Sequence, residues 1–317
     1  MIKRNLPRFY IGPMSKNVVD CCIDFSLNNP NKIGFIPSRR QIEKTGGYVN
    51  RWDTKSFSQY CSNVLIKRDH AGPSQGQTED DGFESLREDC KYFDYIHLDP
   101  WKKYPLYEDG LKWTIKMMNF CYDLNDRVKY EVGTEEAIRN FSPQELNQLM
   151  VDLKRNLNSK IFKNIDYLVI QSGTSLKGNV NTGVYNKDRL CKMVGVAKKH
   201  NVLSKEHNGD YISPTIIKEK MSLGLDSINI APEFGLIETK CYLESDIDFE
   251  KFWKICFLSR KWEKWVDSSF DPYSQKVDLV KICGHYVFSN PEFIKIKPDI
   301  ENKIKFKINE KLHELSY

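Results

Sequence analysis

The chain has 317 residues, with 48 Lys and Arg against 43 Asp and Glu, which gives a formal net charge of +5. Hydrophobic residues make up 40% and charged residues 29%, a composition typical of a globular protein. The positive charge is dispersed, without the basic stripe of a nucleic-acid-binding protein. No apolar run approaches the roughly 20 residues of a membrane helix, and the basic N-terminus lacks the apolar segment of a secretory signal.

The nine cysteines are odd in number and none lie in a CxxC pair. Free thiols in a reducing compartment are the simplest interpretation of this usage. We therefore expect a cytoplasmic protein whose partner is an anionic small molecule, with no nucleic acid and no membrane involved.

Short apolar strands alternate with amphipathic helices along most of the chain. A first helix is predicted from Ser15 to Leu27, and the Asn-Asn-Pro-Asn segment at 28–31 ends it. Seven runs rich in Val, Ile, Leu or Tyr are the predicted strands, at 33–37, 63–68, 94–98, 127–131, 166–171, 201–206 and 226–231. This alternation predicts an α/β fold, a (β/α)8 TIM barrel whose strands are parallel.

The ends of the barrel are less well marked. The eighth strand is placed at Ile282–Phe288, and the charged tail from Lys303 onwards is predicted as a helix or an edge strand. We expect one TIM-barrel domain over 1–317, with the barrel at about 32–285 and a C-terminal extension at about 286–317. A long polar loop at 71–82 is of the kind that closes over a substrate.

Signals for helix ends support the helices between the strands. Ser142, Asn186 and Ser213 are predicted N-caps, and Gly224 is a predicted helix stop.

Ionisable residues follow several of the predicted strands, where the active site of a (β/α) barrel lies. Asp69 and His70 end the second strand and offer a carboxylate acid/base beside an imidazole metal ligand, although a loop-capping Asp beside a surface His would give the same pattern. His97 and Asp99 share one face of the third strand. An inward His can be a hydrogen-bonded core residue, whereas an unpaired buried Asp is costly.

The fourth and sixth strands add further candidates. Glu131 ends the fourth strand as a catalytic candidate, or it forms a structural pair with Lys129 on the same face. Lys205 and His207 share a face at the end of the sixth strand. An inward lysine there could form a Schiff base with a carbonyl substrate, pair with Asp99, or bind a phosphate.

The histidines predict a divalent metal, with zinc as the expected ion. His70 and His207 come from different strands, and His97 or Glu131 would complete a site with open positions. Neither HxH nor HExxH occurs, so the prediction depends on the fold bringing these residues together.

Two Gly-rich segments are candidate anion sites. Arg39, Arg40 and Gln41 precede Gly46-Gly47, whose backbone N–H groups could hold a phosphate. A second segment contains Gln171 and Ser172 and reaches Lys177. Both segments could equally be ordinary surface loops.

Seven short motifs occur in this order: Gln41…Thr45-Gly-Gly-Tyr, Asp69-His-Ala-Gly-Pro, Ile96-His-Leu-Asp, Glu131-Val-Gly-Thr-Glu, Gln171-Ser-Gly, His207-Asn-Gly-Asp-Tyr and Ile230-Ala-Pro-Glu-Phe. Together they resemble the Z-type subunit family of class II tagatose-bisphosphate aldolases. The resemblance covers about 33–240. It implies a TIM barrel, sugar-phosphate chemistry, and either a partner subunit of a catalytic aldolase or an epimerase acting at C4 of a ketose or ketose phosphate.

In class II aldolases a divalent metal polarises the ketose carbonyl while a carboxylate moves protons, and a C4 epimerase can use the same retro-aldol step. The resemblance therefore implies Asp69, Asp99 and Glu131 as proton-transfer candidates and a metal held by the histidines. This sequence departs from the family pattern at positively charged positions, namely Arg39, Arg40, Lys67, Arg68 and Lys205. We expect these changes to add positive charge at the mouth of the barrel, for a more anionic or larger sugar.

The sequence thus supports three hypotheses. The first is a homo-oligomeric, metal-dependent aldolase or C4 epimerase acting on a phosphorylated ketose. The second is a non-catalytic barrel that stabilises a separate aldolase subunit. Trp253, Trp262 and Trp265 on one C-terminal helix would form its contact patch, unless they pack in the core. The third is Schiff-base catalysis through Lys205.

Overall fold

A computed structural model describes residues 6–316, except for the side chain of Ser316. It contains ten strands: β1 (Phe9–Ile11), β2 (Ile33–Phe35), β3 (Lys67–Ala71), β4 (Tyr95–Leu98), β5 (Lys129–Val132), β6 (Ile165–Ile170), β7 (Leu176–Lys177), β8 (Val180–Asn181), β9 (Leu203–Glu206) and β10 (Ser227–Ile230).

The helices that precede or follow these strands number thirteen in the described range. They are α1 (Lys16–Asn28), α2 (Thr54–Tyr60), α3 (Phe83–Tyr92), α4 (Tyr107–Leu124), α5 (Pro143–Asn156), α6 (Ser159–Phe162), α7 (Lys187–Lys199), α8 (Pro214–Ser222), α9 (Pro232–Leu243), α10 (Phe249–Ser259), α11 (Lys276–Cys283), α12 (Pro291–Ile296) and α13 (Glu301–Ser316). Two 3₁₀ turns lie at Glu263–Trp265 and Gly284–Tyr286.

Eight strands form one parallel sheet in the order β2-β1-β10-β9-β6-β5-β4-β3. Single parallel bridges from Phe35 to Ile66 and from Ser38 to Asp69 join its two edges. The sheet is thereby closed, and helices surround it. The predicted (β/α)8 TIM barrel is confirmed. The remaining strands, β7 and β8, form a small antiparallel hairpin in the loop after β6.

The strand that completes the barrel is β1, at the N-terminal end of the chain. It pairs with β10 on one side and β2 on the other, so it lies before the segment at which the sequence pattern began the barrel. The predicted strand at Ile282–Phe288 is wrong, because this segment forms the end of α11 and a 3₁₀ turn. The buried residues of α11 are Leu279, Val280 and Cys283, and their spacing is helical.

The C-terminal tail is a helix, one of its two predicted states. This helix, α13, packs against α1 and α9 and so covers the outside of the barrel where β1 enters. The predicted helix starts are also confirmed. Ser142, Asn186 and Ser213 each accept a hydrogen bond from a backbone N–H three residues on, and Gly224 follows α8 with a φ of 103°.

Aliphatic side chains fill the layer between barrel and helices, but the interior of the barrel is partly polar. Lys67, Glu131 and Lys205 are fully buried there beside Tyr10 and Tyr167. All nine cysteines are free thiols. Within residues 6–316, no helix has both the length and the apolar character needed to cross a bilayer.

One buried carboxylate on the outside of the barrel contributes to how stability depends on pH. Glu238 of α9 accepts hydrogen bonds from Ser15, at the start of α1, and from Asn17 Nδ2 at 2.8 Å. Burial raises the pKa of Glu238 to about 7 from an unfolded value of 4.5, although these hydrogen bonds partly oppose the increase. The folded protein therefore binds more protons than the unfolded chain between these two pH values.

The free energy of unfolding of the unaltered protein should therefore fall as the pH rises from 5 to 8, relative to that of a Glu238→Gln variant. A shift of this size corresponds to about 2–3 kcal/mol. Urea unfolding of both proteins at the two pH values measures the difference. An identical pH dependence in the two proteins would contradict the assignment.

Candidate metal centre and active site

Three imidazoles surround the carboxylate of Asp69 at the mouth of the barrel. His70 lies near the end of β3, His97 lies in β4, and His207 directly follows β9. One ligand atom from each of these four residues lies within 4.8 Å of the others. Parallel strands end at the same rim of a barrel, so residues far apart in sequence meet here.

A bulge in β3 allows two neighbouring residues to reach the same pocket. Neighbours along a regular strand face opposite sides. Arg68 pairs with Ile96 and Ala71 with Leu98, so two residues of β3 stand opposite one residue of β4. His70 has a φ of 44°, in the left-handed region that a residue with a Cβ seldom adopts. The strained backbone therefore turns both Asp69 and His70 towards the mouth.

Each imidazole has an oxygen acceptor behind it. Nε2 of His207 lies 2.7 Å from Glu131 Oε1, Nε2 of His97 lies 3.0 Å from the Gly133 carbonyl, and Nδ1 of His70 lies 2.6 Å from Asp99 Oδ2. Ionised carboxylates and carbonyls only accept, so these nitrogens carry the hydrogens. The second nitrogen of each ring then faces Asp69, an arrangement typical of histidine metal ligands.

The oxygens of Asp69 lie at the centre of this group. Oδ1 is 3.6 Å from His97 Nδ1 and 3.8 Å from His207 Nδ1, and Oδ2 is 3.7 Å from His70 Nε2. Oδ1 is buried and has no hydrogen-bond partner in the described part of the chain. An unpaired buried carboxylate oxygen is costly unless it meets a cation. Of the three imidazoles, His97 is the least available to a metal ion, because its Nδ1 already accepts a hydrogen bond from the backbone N–H of His70 at 3.2 Å.

Formal charges around the imidazoles also suit a divalent cation. Four carboxylates contact the rings, those of Asp69, Asp99, Glu131 and Glu135, and two ammonium groups contact Glu131, those of Lys67 and Lys205. Their sum is minus two, which one divalent ion would neutralise. Burial disfavours the charged ring of His70, but the neighbouring carboxylates of Asp69 and Asp99 raise its pKa to about 10. The negative field therefore attracts a proton where a metal ion would otherwise bind.

Glu131 and Lys205 lie inside the barrel, below the candidate metal-binding group formed by Asp69 and the three imidazoles. Neither side chain has exposed surface, and Lys205 Nζ lies 3.9 Å from the Tyr10 ring centroid. Burial acts to raise the pKa of Glu131, but the ammonium groups of Lys205 and Lys67 hold it well below its usual value. Burial lowers the pKa of Lys205. A carbonyl substrate in the mouth would have to displace buried groups to reach this lysine.

A cavity of about 330 Å³ opens above the imidazoles, and three cationic side chains line it. They are Arg40, Lys102 and Lys264, and none forms an ion pair with a carboxylate within residues 6–316. Arg40 donates to the Gly76 carbonyl and Lys102 to the Ser74 carbonyl. Lys264 lies over the rings of Trp265 and Tyr286. Partial enclosure in the cavity and the neighbouring charges of Arg40 and Lys102 lower the pKa of Lys264, although the residue is exposed at the surface. Cations that lack a carboxylate partner and repel one another in a cavity are suited to binding an anion.

Several residues predicted to bind phosphate have structural partners instead. Arg39 is buried and bonds Glu43 Oε2 at 2.8 Å, Asp80 Oδ2 at 2.6 Å and the Gly72 carbonyl at 2.9 Å, so it holds the 71–82 loop. Gln41 borders the cavity, but its Oε1 accepts from the backbone N–H of Ser38 at 2.8 Å.

The second predicted anion loop is also occupied by internal contacts. Gln171 is buried and bonds the backbone of Thr134, Arg139 and Phe141. Ser172 donates to Glu206, and the exposed Lys177 lies 3.2 Å from Asp267 Oδ2. Arg68, one of the five basic residues that depart from the family pattern, bonds Asp89 behind the barrel. Of these five residues, Arg40 lines the cavity.

Several residues that line the cavity were not singled out from the sequence, among them Lys102, Glu135, Asn229 and Lys264. Oε2 of Glu135 lies 3.9 Å from His70 Nε2. Both amide atoms of Asn229, at the end of β10, are buried without a partner in the described chain. The position of Asn229, a polar residue between Ile228 and Ile230 in a strand, could have marked it in the sequence. Nothing in the sequence around Lys264 marks it, because it reaches the mouth from a distant loop.

Comparisons with known proteins support the fold. No protein-family model and no curated protein sequence matches the chain. A solved structure described as a probable tagatose 6 phosphate kinase from Sinorhizobium meliloti 1021 matches with a TM-score of 0.74 at 13% identity, covering 99% of both chains. The YdjI aldolase from Escherichia coli K12 matches with a TM-score of 0.58 at 12% identity, covering 98% of this chain and 92% of the aldolase.

The fructuronate-tagaturonate epimerase UxaE from Cohnella laeviribosi also matches, with a TM-score of 0.58 at 9% identity, covering 98% of this chain and 80% of the epimerase. At these identities the likeness establishes a shared barrel architecture. The chemistry of this chain therefore has to be argued from its own site.

The imidazole group predicts binding of one divalent ion per chain. Protein stripped with chelator should take up one equivalent of Zn²⁺, Co²⁺ or Mn²⁺ and should unfold at a higher temperature with the ion bound. A His70→Ala variant should lose the binding and the thermal shift, whereas His200→Ala, at the end of α7, should retain both. Metal analysis and calorimetry give the readout, and equal binding by the two variants would count against the site.

Proposed function

We propose that this protein is a metal-dependent enzyme that cleaves and re-forms a carbon–carbon bond in a phosphorylated ketose, as an aldolase or a C4 epimerase. The observation that carries the proposal is the carboxylate of Asp69, whose buried Oδ1 has no hydrogen-bond partner in the described residues. It lies among three imidazoles that are each held from behind, below a cavity lined by cations without a carboxylate partner. The ordered motif series that resembles the Z-type aldolase subunits supports it.

In this proposal His70, His97, His207 and Asp69 hold a divalent ion, with zinc as the expected metal. When bound, such an ion polarises a ketose carbonyl and stabilises the enediolate. Asp99 serves to orient His70, because its Oδ2 lies 2.6 Å from the ring nitrogen. This assignment changes the sequence-based roles of Asp69 and Asp99 from proton transfer to metal binding and orientation.

Glu135 is the residue proposed to move protons. Its carboxylate lines the cavity beside His70 and is 18% exposed, so a substrate hydroxyl can reach it. It would take the proton of the C4 hydroxyl as the C3–C4 bond breaks, with the bonding electron pair passing to the enediolate at C3. Return of the proton to the new C4 oxygen after addition to the other face of the aldehyde would complete epimerisation. For cleavage the aldehyde would leave and the same proton would pass to C3 of the enediolate, which gives the second triose product.

The remaining groups bind the rest of the sugar. Arg40, Lys102 and Lys264 form the proposed phosphate site, because they are cations without a carboxylate partner in one cavity. The buried amide of Asn229 offers both a donor and an acceptor to sugar oxygens. Together these groups bind both the charged and the hydroxylated parts of one substrate.

A screen of ketose mono- and bisphosphates with added Zn²⁺, Co²⁺ or Mn²⁺, followed by NMR, tests the proposed function. Epimer formation and triose release give separate signals in one spectrum. We expect turnover of a phosphorylated ketose, with kcat/KM at least about 10-fold above that of the same sugar without phosphate, because a charge-assisted hydrogen bond contributes about 1.5–3 kcal/mol. Absence of both products with every metal and sugar would refute it.

Two isosteric variants separate metal binding from proton transfer. Asp69→Asn should weaken metal binding and thereby lower activity. Glu135→Gln should bind metal like the unaltered protein but lose about 10²–10⁴-fold in kcat, the usual contribution of a positioned acid or base. Metal titration together with steady-state kinetics on both variants gives the comparison. Full activity in Glu135→Gln would remove this residue from the mechanism.

A further inference from the structure

The carboxylate of Glu131 has different partners on its two oxygens. Oε1 lies 2.7 Å from Nε2 of His207, on the side of the mouth. Oε2 accepts from Lys67 Nζ at 2.7 Å, on the opposite side, inside the barrel. Lys67 and Glu131 have no exposed surface, and His207 is almost fully buried. The three side chains therefore form a linear connection from the barrel interior to the metal-binding group.

We propose that Lys67 and Glu131 are positioning residues that fix which nitrogen of His207 faces the metal pocket. The inference rests on the proposed metal centre. In this arrangement Lys67 holds Glu131, Glu131 receives the Nε2 hydrogen of His207, and the unprotonated Nδ1 is left facing Asp69 at 3.8 Å. Neither residue touches the substrate, so both act through His207.

The hydrogen-bonding capacity of each group requires this order. An ammonium group only donates, so Lys67 needs an acceptor. Its other near neighbours are the rings of Tyr167, Tyr10 and Tyr95, with centroids at 3.3, 4.6 and 5.0 Å. These rings favour a cation but leave Glu131 as its carboxylate partner. Since Oε2 is committed to Lys67, Oε1 is the oxygen available to His207.

Lys205 adds a second positive charge on the same side of Glu131. Its Nζ lies 3.2 Å from Glu131 Oε2 but outside hydrogen-bond geometry, and it has no hydrogen-bond partner in the described residues. Both ammonium groups therefore face Oε2 and orient a side chain at position 131, with Lys67 as its hydrogen-bond donor. The same enclosure separates Glu131 from the cavity, so it is a positioning residue and not the proton-transfer group that the sequence suggested.

The chain without metal provides the first test. In protein labelled with ¹⁵N-histidine and stripped of metal, the ring of His207 should be the Nε2–H tautomer, with assignment from the signal missing in a His207→Gln variant. Two-dimensional ¹H–¹⁵N spectra of the imidazoles distinguish the two tautomers. An Nδ1–H ring at His207 would overturn the proposal, whether or not the protein binds metal.

An isosteric variant gives the second test. In Glu131→Gln, Lys67 should keep the amide oxygen, so the amide NH₂ should face Nε2 of His207. That nitrogen must then accept, which moves the hydrogen to Nδ1, the nitrogen needed by the metal. We expect Zn²⁺ or Co²⁺ affinity to fall roughly 10–100-fold, the usual effect of losing such a partner. Competition with a chromophoric chelator measures it, and unchanged affinity would contradict the proposal.

A triple variant distinguishes positioning from general damage to the core. In Lys67→Met/Lys205→Met/Glu131→Gln no ammonium group remains beside the amide, which can then present its oxygen to His207, so metal affinity should recover relative to Glu131→Gln alone. Damage to the core would instead weaken binding further. Glu238→Gln is the matched control, since it also replaces a buried carboxylate and should leave metal affinity unchanged.

The two tests keep this inference separate from the proposed function. If the unaltered protein binds none of the added ions, the proposed function fails, and the tautomer of His207 alone decides the positioning of the ring. If the unaltered protein binds metal and Glu131→Gln binds it equally well, the proposed function survives and the positioning role is refuted.

Discussion

The orientation of three imidazoles towards one carboxylate is the constraint on which the rest of the site depends. A free imidazole can present either nitrogen, and two ring orientations fit most cavities. Here Asp99, the Gly133 carbonyl and Glu131 each occupy one nitrogen, so the opposite nitrogens converge on Asp69. The cost of burying these polar groups is offset because each has a partner on its outer side. What remains unpaired is the oxygen at the centre, where a cation would complete the set.

Charged side chains in the interior of the barrel contribute to this arrangement. Barrel cores are dominated by branched aliphatic residues, whereas this one contains Lys67, Glu131 and Lys205 beside two tyrosines whose hydroxyls lie 3.1 Å apart. Replacing such charges by apolar residues is often neutral or stabilising in other proteins. Their presence directly below His207 therefore suggests a role in the site above them.

The repeating pattern of strands and helices predicted most of the fold, because buried parallel strands and capped helices leave strong local signals. It failed at β1, where three residues give no periodicity, and where pairing with β10 is a long-range contact. It failed again at Ile282–Phe288, where an apolar run of this length fits a buried helix as well as a strand.

At the site, sequence alternation brought His97 and Asp99 to one face of a strand, and the barrel topology brought the histidines together. It could not show that the β3 bulge turns Asp69 and His70 to the same side, since a register shift is a property of two strands. Nor could the sequence show that Arg39 and Gln171 form hydrogen bonds within the protein, because their partners lie on other segments.

The basic residues expected at the mouth of the barrel mostly lie elsewhere in the structure. Five basic departures from the family pattern suggested a cationic mouth, yet four of these side chains are buried: Arg39 and Arg68 against carboxylates, Lys67 and Lys205 inside the barrel. The cavity instead acquires its charge from Arg40, Lys102 and Lys264, which come from three separate loops. Such a cluster can change without disturbing the strands that hold the metal-binding group. In the proposed function, substrate preference and metal binding would thus be carried by different parts of the chain.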